Sequence, residues 1–132
     1  MTVATLEHVN MTVSDPKKTA QMLVDLFGWK IRWEGPGGTN GYTVHVGTDD
    51  SYIGLYRPAP GTELDRRSKS AAYAMLGGLN HIAVTVDDID ATEARIAAAG
   101  YRPFNHGDYE PGRRFYFFDD DGLEYEVVSY TS

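Results

Sequence analysis

The chain has 132 residues, 42% hydrophobic and 23% charged, with a formal net charge of −7 and no cysteine. That length supports one domain with a real core, and the acidic balance argues against nucleic acid or an anionic membrane as the main partner. Without cysteine there is no disulfide, no zinc–thiolate centre and no thiol nucleophile, so any metal must be held by His, Asp, Glu, Tyr, backbone or water.

Residues 6–13 alternate and predict a strand, with Val9, Met11 and Val13 on an apolar face and His8, Asn10 and Thr12 on a polar one. Ser14-Asp15-Pro16 reads as a helix start. The helix runs to about Phe27, buries Ala20, Leu23, Leu26 and Phe27, and is stopped by Gly28. Residues 29–33 predict a second strand, 35–38 a loop, and 42–46 and 52–56 the third and fourth strands. His45 falls on the opposite face from Val44 and Val46 and reads as structural. Residues 57–78 break the pattern with Pro58, Pro60, Gly61 and a mixed-charge run holding Arg66, Arg67 and Lys69. They read as a linker with a short helical turn around 71–76.

The first half then starts again. Leu6, His8, Thr12, Val13 and Asp15 recur as Leu79, His81, Thr85, Val86 and Asp88, at an offset of 73. A helix over residues 89–99 follows, stopped by Gly100. Gly28-Trp29-Lys30 recurs as Gly100-Tyr101-Arg102, and Ile53-Gly54-Leu55 as Tyr125-Glu126-Val127, both at an offset of 72. An internal repeat of this kind is an architectural signal. It predicts an α+β domain over 1–132, built from two βαβββ modules at 4–56 and 79–130 whose polar sheet faces must meet.

Residues 115–128 predict an antiparallel hairpin around Asp120-Asp121-Gly122, with 119–121 a solvated turn. Glu124 and Glu126 project from the same side of its second strand. Glu126 lies among Tyr125, Val127 and Val128, where a lone buried carboxylate must be paired, protonated or bound to metal. His8 and His81 hold equivalent places in the two copies, and Glu126 holds the strand-four place of the second. Two histidines and one carboxylate form a set that binds one divalent metal and leaves positions open; Fe, Mn, Ni and Zn all suit it.

A βαβββ repeat with a histidine near the start of each copy and a glutamate in the last strand resembles the vicinal oxygen chelate superfamily. That group includes glyoxalases, extradiol ring-cleaving dioxygenases, epimerases and bleomycin-resistance-type binding proteins. The resemblance covers nearly the whole chain except the linker. It implies a concave mixed-sheet cleft, a small-molecule substrate, and one divalent metal at His8, His81 and Glu126. The fourth ligand of the glyoxalases would fall on Gly54, which has no side chain. The three-ligand pattern of the dioxygenases matches without a gap. It also implies catalytic roles for Tyr116, ten residues before Glu126, and for His106 ahead of that tyrosine. The acid–base histidine that dioxygenases carry before strand four of the first copy is missing, since Asp50-Ser51-Tyr52 stands there.

Three readings follow from the resemblance: a dioxygenase-like metalloenzyme, which leads, a glyoxalase-like lyase or isomerase, and a non-catalytic small-molecule binding protein. Trp33, Tyr42, Tyr52, Tyr56 and Phe118 either line the cleft or are ordinary sheet residues. The 22-residue linker at 57–78 is long enough to carry the second module onto another chain, which predicts a module-exchanged homodimer, the alternative being pairing within one chain with the linker looped over the surface. No apolar run is long enough to span a bilayer and no signal pattern opens the chain, so the expected location is the cytoplasm.

Overall fold

A computed structural model of the protein describes residues 2–66 and 71–131; the linker positions Arg67 and Lys69 lie outside the described residues. The chain divides into two units, Met1–Leu64 and Asp65–Ser132. Among the described residues no helix is long and apolar enough to cross a membrane.

The first unit runs β1 (His8–Thr12), α1 (Pro16–Phe27), β2 (Lys30–Gly37), β3 (Gly41–Gly47) and β4 (Tyr52–Arg57). Its sheet has the order β1-β4-β3-β2, with β1 parallel to β4 and the other pairs antiparallel. Asp15 caps α1 by accepting from the Lys18 N–H, and Gly28 ends it in the left-handed conformation at φ 71°. The helix buries Ala20, Leu23 and Leu26 on the sheet face that carries Val44, Val46, Ile53 and Leu55. Side chains alternate along a strand, so His45, Tyr52, Gly54 and Tyr56 belong to the other face. Tyr42 shares the parity of Val44 and so leaves the expected cleft wall. Its hydroxyl donates to Glu34 at 2.6 Å and Lys17 of α1 lies over its ring.

β2 extends through Gly35, Pro36 and Gly37, where the sequence predicts a loop. β2 is the edge strand of its sheet, and an edge tolerates a proline whose missing N–H faces outward. The turn is displaced to residues 38–40, where Thr39 and Asn40 take positive φ.

The second unit holds a 3-10 turn η1 (Ala71–Ala74), then β5 (Ile82–Thr85), α2 (Ile89–Ala98), β6 (Phe104–Tyr109), β7 (Gly112–Phe118) and β8 (Glu124–Ser129). Its sheet order is β5-β8-β7-β6, with β5 parallel to β8. The two halves therefore share one topology, and their registers correspond. Asn10 pairs with Gly54 in the first unit, and Ala83 with Glu126 in the second. His45 pairs with Gly54 and Tyr116 with Glu126. This is the α+β arrangement of two βαβββ modules that the repeat predicts.

The hairpin of β7 and β8 forms as expected, and Asp120 in its turn is exposed, but Asp119 is not solvated. Asp119 is only 8% exposed. Its Oδ1 accepts from the backbone N–H of Asp121 at 2.9 Å and of Leu123 at 3.0 Å, and its Oδ2 from the buried Tyr125 hydroxyl at 3.0 Å. The carboxylate replaces the partners that a tight turn leaves its backbone without. Burial pushes the Asp119 carboxyl above its usual range against the opposite pull of those hydrogen bonds.

Candidate functional site

In the second unit, β8 sets Glu124 and Glu126 on the face away from the buried Tyr125 and Val127, as period-two alternation requires. Glu126 is 7% exposed and is paired on both oxygens. His81, just ahead of β5, lies with Nε2 2.9 Å from Oε1, and Arg114 of β7 donates from Nη1 to Oε2 at 3.0 Å. Tyr116 stands edge-on to His81, ring centroids 5.6 Å apart. Burial, and after it the nearby Glu126, raise its phenol above the ordinary tyrosine value, so it remains a proton donor at neutral pH. The structure thus brings together His81, Glu126 and Tyr116 from three different strand regions.

Tyr73 of η1 closes this group from the linker. Its hydroxyl donates to Glu124 Oε1 in a short hydrogen bond and lies 3.3 Å from His81 Nδ1. That bond, more than burial, raises the Tyr73 phenol to about 12. The phenol spends its one proton on Glu124, so its oxygen is free to accept from His81 Nδ1, while His81 Nε2 faces Glu126 Oε1. The 2.9 Å separation of Nε2 and Oε1 is a hydrogen-bond distance that sets a nitrogen and an oxygen donor side by side. The His81, Tyr73, Glu124 chain is also the outer-shell pattern that orients a ligating imidazole.

The first unit presents a different face. His8 Nδ1 donates to Glu7 Oε1 at 2.8 Å, and this bond holds the Glu7 carboxyl below its usual value. The His8 ring stacks on Tyr52 at 4.7 Å, Tyr52 on His45 at 4.5 Å, and His45 packs against Trp33 at 5.2 Å. Arg32 lies over Tyr52, 4.5 Å from the ring centre. The outcome is a ladder of four rings ending in Trp33, which is 50% exposed. His45, read from the sequence as structural, therefore belongs to the candidate site, at the place Tyr116 holds in the second unit. Burial, then the charges of His8 and Arg32, lower its pKa, so it is neutral at pH 7. Gly54 holds the place of Glu126, and a Cβ there would meet Asn10 Oδ1 at 3.0 Å. Asn10 thus fills the space that a side chain at position 54 would take.

His106 does not join Tyr116 and Glu126. Its Nε2 lies 2.8 Å from Glu93 of α2, and its ring stacks at 5.7 Å on Phe115, whose side chain faces the buried helix side. A register shift in β6 between Phe104 and Gly107 turns it there. Phe118 stacks on Phe104 at 5.2 Å on the face of Tyr116. Among the described residues no group of three or more His, Asp or Glu side chains is gathered closely enough to hold a metal ion.

Tyr73, Glu124, Arg114 and His45 go unrecognised as site residues in the sequence. The repeat offset of 72 carried into strand three pairs His45 with Phe117, so the equivalence of His45 and Tyr116 emerges only from the sheet register, in which they stand opposite Gly54 and Glu126. The i, i+2 spacing of Glu124 to Glu126 and of Arg114 to Tyr116 already places each pair on one face.

Residues 5–127 match the pattern of the Glyoxalase/Bleomycin resistance protein/Dioxygenase superfamily. No curated protein sequence matches the chain. Among solved structures, one similar fold is a glyoxylase/bleomycin resistance protein/dioxygenase domain from Frankia sp. EAN1pec, with 23% identity, 97% of this chain and 98% of that one covered, and a TM-score of 0.78. A second is TnmS3, an antibiotic binding protein from Streptomyces sp. CB03234, with 21% identity, 98% of each chain covered and a TM-score of 0.73. A third is the fosfomycin resistance protein FosX from Listeria monocytogenes, complexed with Mn(II) and sulfate ion. It has 22% identity, covers 98% of this chain and 95% of its own, and gives a TM-score of 0.71. At these identities the likeness is one of fold.

Proposed function

Because this chain belongs to the Glyoxalase/Bleomycin resistance protein/Dioxygenase superfamily, we propose that it binds one divalent metal through His8, His81 and Glu126 and uses it on a small oxygenated substrate. The observation that carries this reading is the His81 Nε2 to Glu126 Oε1 approach at 2.9 Å, with Nδ1 3.3 Å from the Tyr73 hydroxyl. His8 enters as the repeat equivalent of His81, and the FosX relative holds Mn(II) on the same fold. When bound, the metal supplies a Lewis acid for two adjacent substrate oxygens. Tyr116 donates its phenolic proton to an oxygen on which negative charge develops. His45, neutral and on the sheet face of His8, takes up a proton from the substrate. The Trp33, His45, Tyr52 ladder stacks on a planar substrate and keeps water from it.

A three-ligand set favours dioxygenase-like over glyoxalase-like chemistry, and the support is Asn10 standing where a fourth ligand would reach from Gly54. A second reading, a binding protein without chemistry, is favoured by the exposed ring ladder and by the antibiotic-binding relative TnmS3. Elemental analysis of protein purified without added metal tests the main reading. Wild type should carry one equivalent, and His8→Ala, His81→Ala and Glu126→Ala should each lose it. If all three variants keep stoichiometric metal, the site lies elsewhere. Oxygen uptake on a panel of catechols separates the dioxygenase reading from the others, and full ligand affinity in metal-free protein would favour the binding protein.

A further inference from the structure

Arg114 has more hydrogen-bonding capacity than the structure uses. Its Nη1 donates to Glu126, while Nε and Nη2 are buried and have no partner among the described residues. Nε and Nη2 form one edge of the guanidinium, the edge that grips two oxygens of a carboxylate or a phosphorus oxyacid side by side. The neighbouring residue shows the satisfied form: Arg113 meets Asp90 with two bonds, at 2.9 and 3.3 Å. Buried donors on a charged group without partners call for an explanation, and here the cover is movable. The ring of Tyr109 lies over the guanidinium, 4.9 Å from ring centre to carbon. Tyr109 is itself 61% exposed and sits at the end of β6, so little holds it down. It reaches Arg114 across Gly107, where a Cβ would stand 2.6 Å from the Tyr109 ring.

We propose that Arg114 is an oxyanion-binding residue of the site, whose Nε and Nη2 receive two oxygens of a ligand's carboxylate, phosphonate or phosphate group once Tyr109 swings aside. The inference rests on reading Glu126 as part of the ligand site, and it names the substrate class: a small molecule carrying an anionic oxyacid group beside its metal-chelating oxygens. A catechol or other neutral diol would leave the edge empty.

The test is calorimetric titration of the metal-loaded and metal-free protein with acetate, methylphosphonate and inorganic phosphate, with metal titrations run in parallel. Wild type should bind at least one probe, and which one separates a planar from a tetrahedral partner. Arg114→Lys keeps a charge for Glu126 but lacks the forked edge, so it should lose about tenfold or more in probe affinity, in metal-loaded and metal-free protein alike. Tyr109→Ala removes the cover and should bind the same probe faster. In wild type, the Arg114 Nε–H proton resonance should move on probe addition, a readout that needs no variant to fold. Absence of binding for all three probes, equal affinity in Arg114→Lys, or an unmoved Nε–H signal at saturation would each overturn the inference. Failure of the wild type to bind metal in the parallel titration would instead count against the metal reading.

Discussion

Replacing Tyr73 with Phe removes one oxygen from a residue that the sequence places in a linker. Two bonds go with it, the one accepted by Glu124 and the 3.3 Å one from His81 Nδ1. Tyr73 is 53% exposed, so water replaces much of what the phenol itself loses. Glu124 is only 7% exposed, and its remaining neighbour is His81 Nδ1 at 3.7 Å, too long for a hydrogen bond. The metal-free fold should therefore lose about 1 kcal/mol, the net worth of one ordinary hydrogen bond. Metal affinity should lose more, because the imidazole tautomer and ring orientation are no longer imposed. Outer-shell losses of this type cost about 10- to 100-fold, or about 1.4 to 2.7 kcal/mol. The assay is a Mn(II) or Zn(II) titration against a competing chelator, with thermal melts of the metal-free protein alongside. Glu124→Gln added to Tyr73→Phe should cost little more, since the two act as one chain. A Tyr73→Phe protein that binds metal like wild type, or losses that add fully in the double variant, would refute the orienting role.

Asp119→Ala should lower stability by about 3 kcal/mol in chemical denaturation at pH 7, since it strands the Leu123 N–H and the Tyr125 hydroxyl in the interior. Burial raises the folded-state pKa of Asp119, so its titration adds stability that is complete below the unfolded value and lost as pH rises through the folded one. The gap between wild type and Asp119→Ala should accordingly widen on going from pH 7 toward 4; a gap that narrows would mean the three hydrogen bonds outweigh burial. For assembly, His8→Ala and Glu126→Ala chains unfolded and refolded together should regain metal in the mixed dimer if modules are exchanged, and regain none if each chain builds its own site.

The topology was readable because it is written twice. A single alternating stretch such as residues 8–12 is ambiguous, but its return at an offset of 73, with a helix start and a glycine stop in the same order, removes the ambiguity. The corresponding registers at Gly54 and Glu126 are the physical form of that repeat. His106 misled because spacing counts residues and a bulge does not: the shift between Phe104 and Gly107 reverses which face a side chain takes. Asp119 misled because charge was taken for exposure, whereas a tight turn can make a carboxylate its central acceptor. Tyr73 is invisible for a deeper reason. It has no counterpart in the repeat, lies in a stretch of linker composition, and gains its role only through the tertiary approach of η1 to Glu124. Arg114 shows the opposite case, a residue whose face is legible from Tyr116 two positions on but whose significance is not. Only the count of its partners, one bond made and two donors left over, distinguishes it from an ordinary strand arginine.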